Sequence, residues 1–168
     1  MNEPTPAASK GNLPFAALAA AIGLFYILLG LRLLPISDAA AHENDPHWLV
    51  LCVGLAFLLA GVAIAIQTFG HANAAGELPA AAPRWMRAGQ HLSAFTIIAC
   101  LGAIGSWVAF GPGEREFSGG IPFVSPAVNS MIGRSAFGVG AVLIWLCLAA
   151  IAVSGLRKYF ASGNSDRV

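Results

Sequence analysis

Charged residues are scarce in this chain. Lys, Arg, Asp and Glu make up 10% of its 168 residues, whereas a soluble globular domain carries about 25%. So few charges cannot cover a water-facing surface, and 57% of the residues are hydrophobic. The composition therefore indicates that lipid surrounds most of the chain. The net charge of +1 and the scattered basic residues argue against a nucleic-acid partner.

Cysteine motifs are missing as well. The three cysteines are Cys52, Cys100 and Cys147, each lies in an apolar run, and no two have CxxC spacing. This argues against a disulfide framework and a thiolate metal site. It favours a role as small buried hydrophobic side chains.

Signatures of catalysis and ion transport are also missing. No Ser-His-Asp or Cys-His arrangement stands out in the loops, and the apolar stretches hold no paired carboxylates. The glycine-rich segment 107–120 lacks the GxxxxGK[ST] pattern of a phosphate loop. We therefore expect no catalytic residues, no cofactor and no enzymatic activity.

What the chain does have is four long stretches without a charge or a histidine. All nine Lys and Arg, all eight Asp and Glu and all four His lie outside them. Each stretch reaches the roughly 20 apolar residues that a helix needs to cross a bilayer. None shows the polar face of a helix in a soluble bundle or the alternation of a membrane barrel. The stretches are 11–31, 48–70, 92–113 and 135–156.

These stretches predict an all-α fold, an integral membrane four-helix bundle forming a single domain over residues 13–160. The short connection 32–47 keeps the first two spans adjacent. The tails 1–12 and 161–168 are predicted to be cytoplasmic. The expected spans cover about residues 13–34, 48–69, 90–110 and 134–158.

The first stretch loosely resembles a secretory signal peptide, because Lys10 precedes it and Asp38-Ala39-Ala40-Ala41 follows it. The apolar region of a signal peptide has about 7–15 residues, and this stretch is longer. We therefore expect it to be retained as the first span.

The distribution of Lys and Arg predicts the orientation of the spans. Cytoplasmic loops of multi-pass proteins are enriched in these residues. A cytoplasmic N-terminus leaves only Arg32, Arg115 and Arg134 on the opposite side, so we predict an N-in/C-in topology. The cytoplasmic basic residues would then be Lys10, Arg84, Arg87, Arg157, Lys158 and Arg167.

Small residues four positions apart indicate how the helices meet, because they allow close approach in lipid. A general excess of Ala and Gly would produce the same pattern. Trp145 lies in the middle of its stretch, so its indole N–H needs a partner in another helix, and we expect the ring to face the bundle interior. The small pairs are Ala56-x-x-x-Ala60, Gly102-x-x-x-Ser106, Ala136-x-x-x-Gly140 and Ala150-x-x-x-Ser154.

The first external connection groups histidines and carboxylates, which can ligate divalent metals. Their spacing matches no established metal signature, and a helix start explains the same region, with Asp45 as N-cap and Pro46 as the first helical residue. We therefore expect no metal site. A haem between His71 and His91 is also not expected, because neither lies in an apolar stretch. The candidate metal ligands are His42, Glu43, Asp45 and His47.

The segment between the last two stretches is the most individual part of the chain. Gly111 and Pro112 are predicted to end the third helix, and the apolar run 121–124 is unusual for a solvated loop. We interpret the segment as a structured external cap, or as a docking surface for a partner. Charged residues here must find carboxylate, carbonyl or headgroup partners. The candidate structural or partner-contact residues are Arg32, Trp107, Glu114, Arg115, Glu116 and Arg134.

Two motifs in this region carry a resemblance. Trp107-x-Ala-Phe-Gly-Pro-Gly-Glu-Arg-x-Phe-Ser, followed by Gly133-Arg134-x-x-Phe137-Gly138, resembles uncharacterised four-span membrane proteins of proteobacteria over most of residues 13–160. The resemblance implies a bacterial inner membrane and transfers no activity. In size and span number alone, the chain is also similar to the small membrane subunits of tripartite solute transporters of the TctB or DctQ type.

The sequence therefore predicts a small membrane protein that acts by contact. It would be a non-catalytic accessory or assembly component of a membrane complex, or a homo-oligomer. The alternatives are a small membrane subunit of a solute transporter, which needs a water-accessible polar cavity, and a metal- or haem-binding redox protein.

Overall fold

The fold consists of α-helices and their connections. A computed structural model of the chain describes residues 12–34, 46–73, 75–112 and 125–162, with the backbone alone for Pro126 and residues 155–162. The prediction of an all-α fold is confirmed, and the architecture is compatible with a helical bundle. The helices are α1 (Leu13–Gly30), α2 (His47–Phe69), α3 (Arg84–Phe110) and α4 (Pro126–Ser162).

All four helices are long and apolar enough to cross a membrane. Their bounds differ from the expected spans at the polar ends. Helix α3 begins at Arg84, ahead of residue 90, and α4 begins at Pro126, ahead of residue 134. Helix α1 ends at Gly30, before residue 34. The charge-free stretches mark the apolar part of each helix, whereas the helical backbone continues through flanking charged residues.

The chain divides into two compact units within α3. The first unit is Met1–Cys100, and the second is Leu101–Val168. Helices α1 and α2 belong to the first unit with the start of α3, and α4 belongs to the second with the end of α3.

In the first unit, α1 and α2 run antiparallel with their backbones in contact at glycines. A Cβ atom added to Gly23 would lie 2.3 Å from the main-chain nitrogen of Leu58, and one added to Gly61 would lie 2.6 Å from the carbonyl oxygen of Ala16. At Gly54 the added atom would lie 2.7 Å from a main-chain nitrogen of α1. Glycine is therefore required at these positions for the helices to approach so closely.

The spacing of these contacts follows a seven-residue repeat. The buried residues of α1 are Ala16, Gly23 and Gly30, and those of α2 are Gly54 and Gly61. A repeat of seven keeps small residues on one side of two helices that coil gently around each other. The spacing of these buried residues is thus longer than that of the predicted four-residue pairs.

Helices α1 and α2 both end with a side-chain-bearing residue in a left-handed conformation. Arg32 has φ 56° and His71 has φ 52°. After His71, the N–H of Ala72 donates to the carbonyl of Gln67 at 3.0 Å, which is the Schellman bond of a helix C-terminus. Glycine is preferred at the left-handed position because a Cβ there costs about 1–2 kcal/mol.

Replacing His71 with glycine is expected to stabilise the protein by about 1 kcal/mol, because glycine removes this backbone strain. His71→Ala keeps the Cβ while removing the imidazole, so it is the matched control and should show no gain. The measurement is thermal unfolding in detergent followed by circular dichroism. Equal melting temperatures for the two variants would show that the left-handed backbone is not strained.

Hydrogen bonds from polar side chains hold the connection between α2 and α3. The Asn73 Oδ1 atom accepts hydrogen bonds from the N–H groups of Ala75 (3.0 Å) and Glu77 (2.9 Å), and Asn73 Nδ2 donates to Glu77 Oε2 at 3.1 Å. Gln90 Nε2 on α3 donates to the carbonyl of Gly76 at 2.6 Å. An asparagine side chain that substitutes for backbone partners in this way fixes the turn locally.

In the second unit, α4 packs along the end of α3 through another set of small residues. A Cβ added to Gly102 would lie 2.9 Å from Cγ2 of Ile144, and one added to Gly138 would lie 3.3 Å from Cζ of Phe110. The predicted pair Gly102-x-x-x-Ser106 therefore lies at a helix contact. A Cβ added to Gly140 meets nothing within 4 Å, so this glycine does not serve close packing in the part of the chain that the structure describes.

Large apolar side chains lie mainly on the outside. Phe110 is 70% exposed, and many other Leu, Phe, Val and Ile side chains are exposed with it. No large side chain is fully buried among the described residues, and the buried set is mostly small. This is the reverse of the distribution in a soluble domain, where large apolar residues fill the core.

Candidate functional site

Arg134 holds the C-terminal end of α3. Its Nε–H donates a hydrogen bond to the carbonyl of Ala109 at 2.9 Å, and its Nη2 donates to the carbonyl of Gly111 at 2.7 Å. The last carbonyls of a helix have no partner within the helix, and a cation there is favoured by the helix dipole. Arg134 therefore satisfies two carbonyl groups while its charge complements the negative end of α3.

The local sequence explains why these carbonyls are available. The N–H of Gly111 makes the last helical bond, to the carbonyl of Trp107 at 2.8 Å. Pro112 follows and cannot continue the helix. As predicted, α3 ends next to Gly111, with Phe110 as its last residue. Because α4 continues helically through position 134, the half-buried Arg134 side chain reaches across to the end of α3.

A groove of about 470 Å³ lies beside Arg134. Its polar lining residues, Arg134 and Ser135, occupy adjacent positions on α4. The remaining lining residues are apolar and follow on later turns of α4 and at the end of α3. The complete lining is Ala109, Phe110, Arg134, Ser135, Gly138, Val139, Val142 and Leu143.

Trp145 is linked to α3 by a short polar chain. Its Nε1–H donates to Ser106 Oγ at 3.0 Å, and the Ser106 hydroxyl donates to the carbonyl of Gly102 at 2.7 Å. The prediction that the indole N–H finds a partner in another helix is confirmed. The ring is 46% exposed, and a Cβ added to Gly102 would lie 3.4 Å from its Cε2 atom, so one side of the ring packs on α3. The expectation that the ring faces the bundle interior stays a prediction.

In the first unit, Arg32 joins the end of α1 to the start of α2. Its guanidinium donates a hydrogen bond to Nε2 of His47, so this candidate metal ligand already uses that nitrogen as an acceptor. Pro46 is the N-cap of α2, with ψ 132°. The prediction of Pro46 as the first helical residue is therefore wrong by one position, because its extended backbone belongs to the connection.

Several predicted site residues lie outside the described part of the chain. Among those described, His71 and His91 are exposed, and Trp107 is half-buried. No group of three His, Cys, Asp or Glu side chains that could hold a metal occurs in residues 12–34, 46–73, 75–112 and 125–154. The residues outside the description are His42, Glu43, Asp45, Glu114, Arg115 and Glu116.

Two cysteines from different helices lie close together in the first unit. Cys100 on α3 is near enough to Cys52 on α2 for the two side chains to interact. Both are free cysteines, and Cys100 is buried. Their separation along the chain gave no sign of this pair, because spacing predicts proximity only for residues on the same element.

Mild oxidation is expected to join Cys52 to Cys100, because the two side chains lie close together on neighbouring helices and a disulfide requires such proximity. The experiment uses a Cys147→Ser background, which removes the exposed third thiol. After treatment with copper–phenanthroline and then iodoacetamide, intact mass should show that both remaining thiols are protected. In the added variant Cys52→Ser, Cys100 should stay open to alkylation. Full alkylation of both thiols after oxidation would contradict the contact.

The apolar residues of the groove were not predicted as site residues. One signal was present, since Gly138 follows Arg134 by one helical turn and leaves space next to the cation. The positions of Phe110 and Val142 around that space depend on how α3 and α4 pack, which no local pattern specifies.

Comparisons with known proteins supply no family for this chain. No family model, no curated protein and no solved structure matches it. The resemblance to four-span proteobacterial proteins stays a prediction that depends on the motifs of residues 107–118 and 133–138.

Proposed function

We propose that this chain is an integral membrane protein with four spans that acts by contact, as a non-catalytic accessory or assembly component of a membrane complex or as a homo-oligomer. The observation that carries the proposal is the outward placement of large apolar side chains on four helices of spanning length. Between 11% and 22% of each apolar window is buried. Most of every helix is therefore available to lipid or to another protein.

Water would be a poor solvent for this surface. A monomeric soluble protein rarely exposes an apolar patch larger than a few hundred Å², and transferring apolar area to water costs about 25 cal/mol per Å². Two hydroxyl side chains within the helices hydrogen-bond to a carbonyl of their own helix, which lowers the cost of placing them in hydrocarbon. Thr68 donates to the carbonyl of Ile64 at 2.8 Å, and Ser106 does the same with Gly102.

The N-in/C-in orientation is part of the proposal, with the inner membrane of a bacterium as the location. The greater number of Lys and Arg on the side of both termini supports it. Arg84 and Arg87 lie at the start of α3, on the proposed cytoplasmic side. Arg134 belongs to α4 and contacts the other end of α3, on the opposite side.

A contact role fits the hydrogen bonds of the polar side chains better than transport does. Arg134, Ser106 and Trp145 hydrogen-bond to groups of the protein itself and thereby connect α3 with α4. The groove has its polar residues together at one end, whereas a transport pathway needs polar groups along its length. This arrangement supports an accessory component over a transporter subunit.

Membrane insertion is tested by alkaline carbonate extraction of membranes, followed by ultracentrifugation. The protein should stay in the pellet until detergent is added, because its apolar helices are embedded. Alkaline phosphatase fused after residue 168 should be inactive, and the same reporter inserted within residues 113–124 should be active. A monodisperse, folded protein in the supernatant without detergent would contradict the proposal.

The contact role is tested by cross-linking a C-terminally tagged chain in native membranes and identifying co-purifying proteins by quantitative mass spectrometry. Partners, or a defined oligomer, should be lost in the double variant Arg115→Ala, Arg134→Ala and retained in Arg84→Ala, which removes an exposed cation on the opposite side. Unchanged abundance, oligomeric state and partners in the double variant would rule out the arginine region as the contact site.

A further inference from the structure

The face of α3 that meets α2 carries buried residues at a spacing of seven. Met86, Ser93 and Cys100 have this spacing, with 8%, 3% and 6% of their surface exposed. A Cβ added to Gly70, at the end of α2, would lie 3.2 Å from Cε of Met86. Residues seven apart lie on nearly the same side of a helix, so Cys100 faces α2 as Met86 does.

Cys52 lies on the corresponding face of α2. It precedes Ile66 by fourteen residues, and Cδ1 of Ile66 lies 3.2 Å from a Cβ added to Gly89 on α3. Together with the contact at Gly70, this shows that α2 and α3 run antiparallel. Cys100 follows Gly89 by eleven residues, so the two cysteines are about 4.5 Å along the axis from being directly opposite. Their side chains are near enough to interact.

Two thiols on neighbouring helices form a ligand pair for a soft metal ion. Thiolate sulfur selects Cu(I), and a thiol that coordinates a metal is deprotonated outright, so a buried thiol needs no earlier ionisation. Zn(II) fits poorly, because it takes four ligands in structural sites, and no group of three His, Cys, Asp or Glu occurs in residues 12–34, 46–73, 75–112 and 125–154. Cu(I) has a filled d shell and accepts a linear arrangement of two sulfurs.

The charge of such a complex fits the position of the pair. A monovalent cation with two thiolates carries one net negative charge, which is costly in apolar surroundings. Leu51, next to Cys52, packs near the end of α1, where a Cβ added to Gly30 would lie 2.7 Å from Cδ2 of Leu51. Arg32 lies at the same end and donates to His47, which precedes Cys52 by about 7.5 Å along α2. A cation at this end of the helices lowers the cost of the negative charge.

We propose that Cys52 and Cys100 together bind one Cu(I) ion between α2 and α3. Each thiol loses its proton as its sulfur binds, so one bound ion releases two protons and no oxidation state changes. Cys52 is half-buried and meets the ion first, and the buried Cys100 completes the site. The ligand pair goes beyond the contact role of the chain.

The test measures metal binding by the reduced full-length protein in detergent under anaerobic conditions. A Cys147→Ser background removes the exposed third thiol. Cu(I) is supplied from a chromophoric chelator of known affinity, and the metal bound per chain is determined by mass spectrometry. One ion per chain should bind. Cys52→Ser and Cys100→Ser should each lower the affinity at least about 100-fold, because loss of a residue that merely orients a ligand costs about 10–100-fold.

The pH dependence of binding reports how many thiols hold the ion. Release of two protons should raise the affinity about 100-fold for each pH unit between about pH 6 and pH 7, whereas a single thiol would give about tenfold. Ag(I), which shares the preference for thiolates and has no accessible redox chemistry here, should show the same slope. An equal concentration of Zn(II) should leave Cu(I) bound.

Alanine variants keep the test decisive if a serine variant fails to fold. Cys52→Ala and Cys100→Ala place a methyl group where serine would place a hydroxyl, and circular dichroism in detergent shows whether each variant is folded. The expected loss of affinity is the same as for serine.

Four outcomes would overturn the proposal. No binding by the reduced parent protein would mean that the two thiols only pack together. Unchanged affinity in a folded variant that lacks both thiols would mean that the ion binds elsewhere. A tenfold change per pH unit would mean a single thiol, and one ion for two chains would mean a site between copies. Membrane insertion is tested separately by the carbonate extraction.

Discussion

Gly23→Ala is expected to lower the free energy of unfolding by about 3 kcal/mol, at the upper end of the range for overpacked interiors. The added Cβ would lie 2.3 Å from the nitrogen of Leu58 and 2.7 Å from the carbonyl oxygen of Gly54. Both are main-chain atoms in a helix, so neither can rotate away. The helices must therefore separate, and the contact at Gly61 weakens with them.

Gly140→Ala is the matched control for this substitution. It adds the same methyl group to a glycine in a helix, but the new atom meets nothing within 4 Å. Its effect should be neutral or stabilising by up to about 1 kcal/mol, because alanine is the better helix former. Unfolding in detergent followed by circular dichroism measures both variants. If Gly23→Ala melts at or above the temperature of Gly140→Ala, the described α1–α2 contact is incorrect.

Arg134→Ala is expected to destabilise the protein by about 3 kcal/mol, from two hydrogen bonds of at least about 1.5 kcal/mol each to a charged donor. The substitution leaves the buried carbonyl groups of Ala109 and Gly111 without this donor. It also removes the cation that complements the dipole of α3. Hydrogen–deuterium exchange should accelerate at residues 107–111, and the melting temperature should fall.

Arg134→Lys and Arg84→Ala provide the controls. Lysine keeps the charge but not the planar fork that reaches two carbonyls, so it should restore part of the lost stability. Arg84 is exposed at the start of α3, and its removal should change the melting temperature little. Equal stability of Arg134→Ala and the wild type would show that the guanidinium does not hold the end of α3.

The helices themselves were predictable, because a helix that crosses a membrane needs a long run without charge and the sequence contains four such runs. Their ends were less so. Arg84 and Arg134 are charged, yet they lie inside helices, since a helical backbone tolerates a charge wherever the side chain reaches polar surroundings. Hydropathy identifies the apolar part of each helix. The positions of the helix ends depend instead on prolines, on capping residues and on the residues of the adjoining connection.

The helix contacts were predictable only in part. The seven-residue spacing of Ala16, Gly23 and Gly30 is visible in the sequence, but the four-residue pairs are equally visible, and Gly140 shows that such a glycine can face open space. Which glycine faces a neighbouring helix depends on how each helix is rotated about its own axis. The pair Cys52 and Cys100 illustrates the same limit, because contact between elements has no local signature.

At the candidate site, the kind of interaction was predictable but its partner was not. A cation beside a helix end had to find an oxygen acceptor, and Arg134 was identified on that basis. That the acceptors are the carbonyls of Ala109 and Gly111 follows from the approach of α4 to α3. The groove follows from the same approach, together with the missing side chain at Gly138.

The glycine contact between α1 and α2 also bears on how the protein is made. All of its residues precede position 70, so the contact needs no atom of α3 or α4. Chains fold in the order of their synthesis when an early part contains its own interaction surface. The first two helices can therefore assemble as a hairpin while the ribosome is still adding the residues of α3.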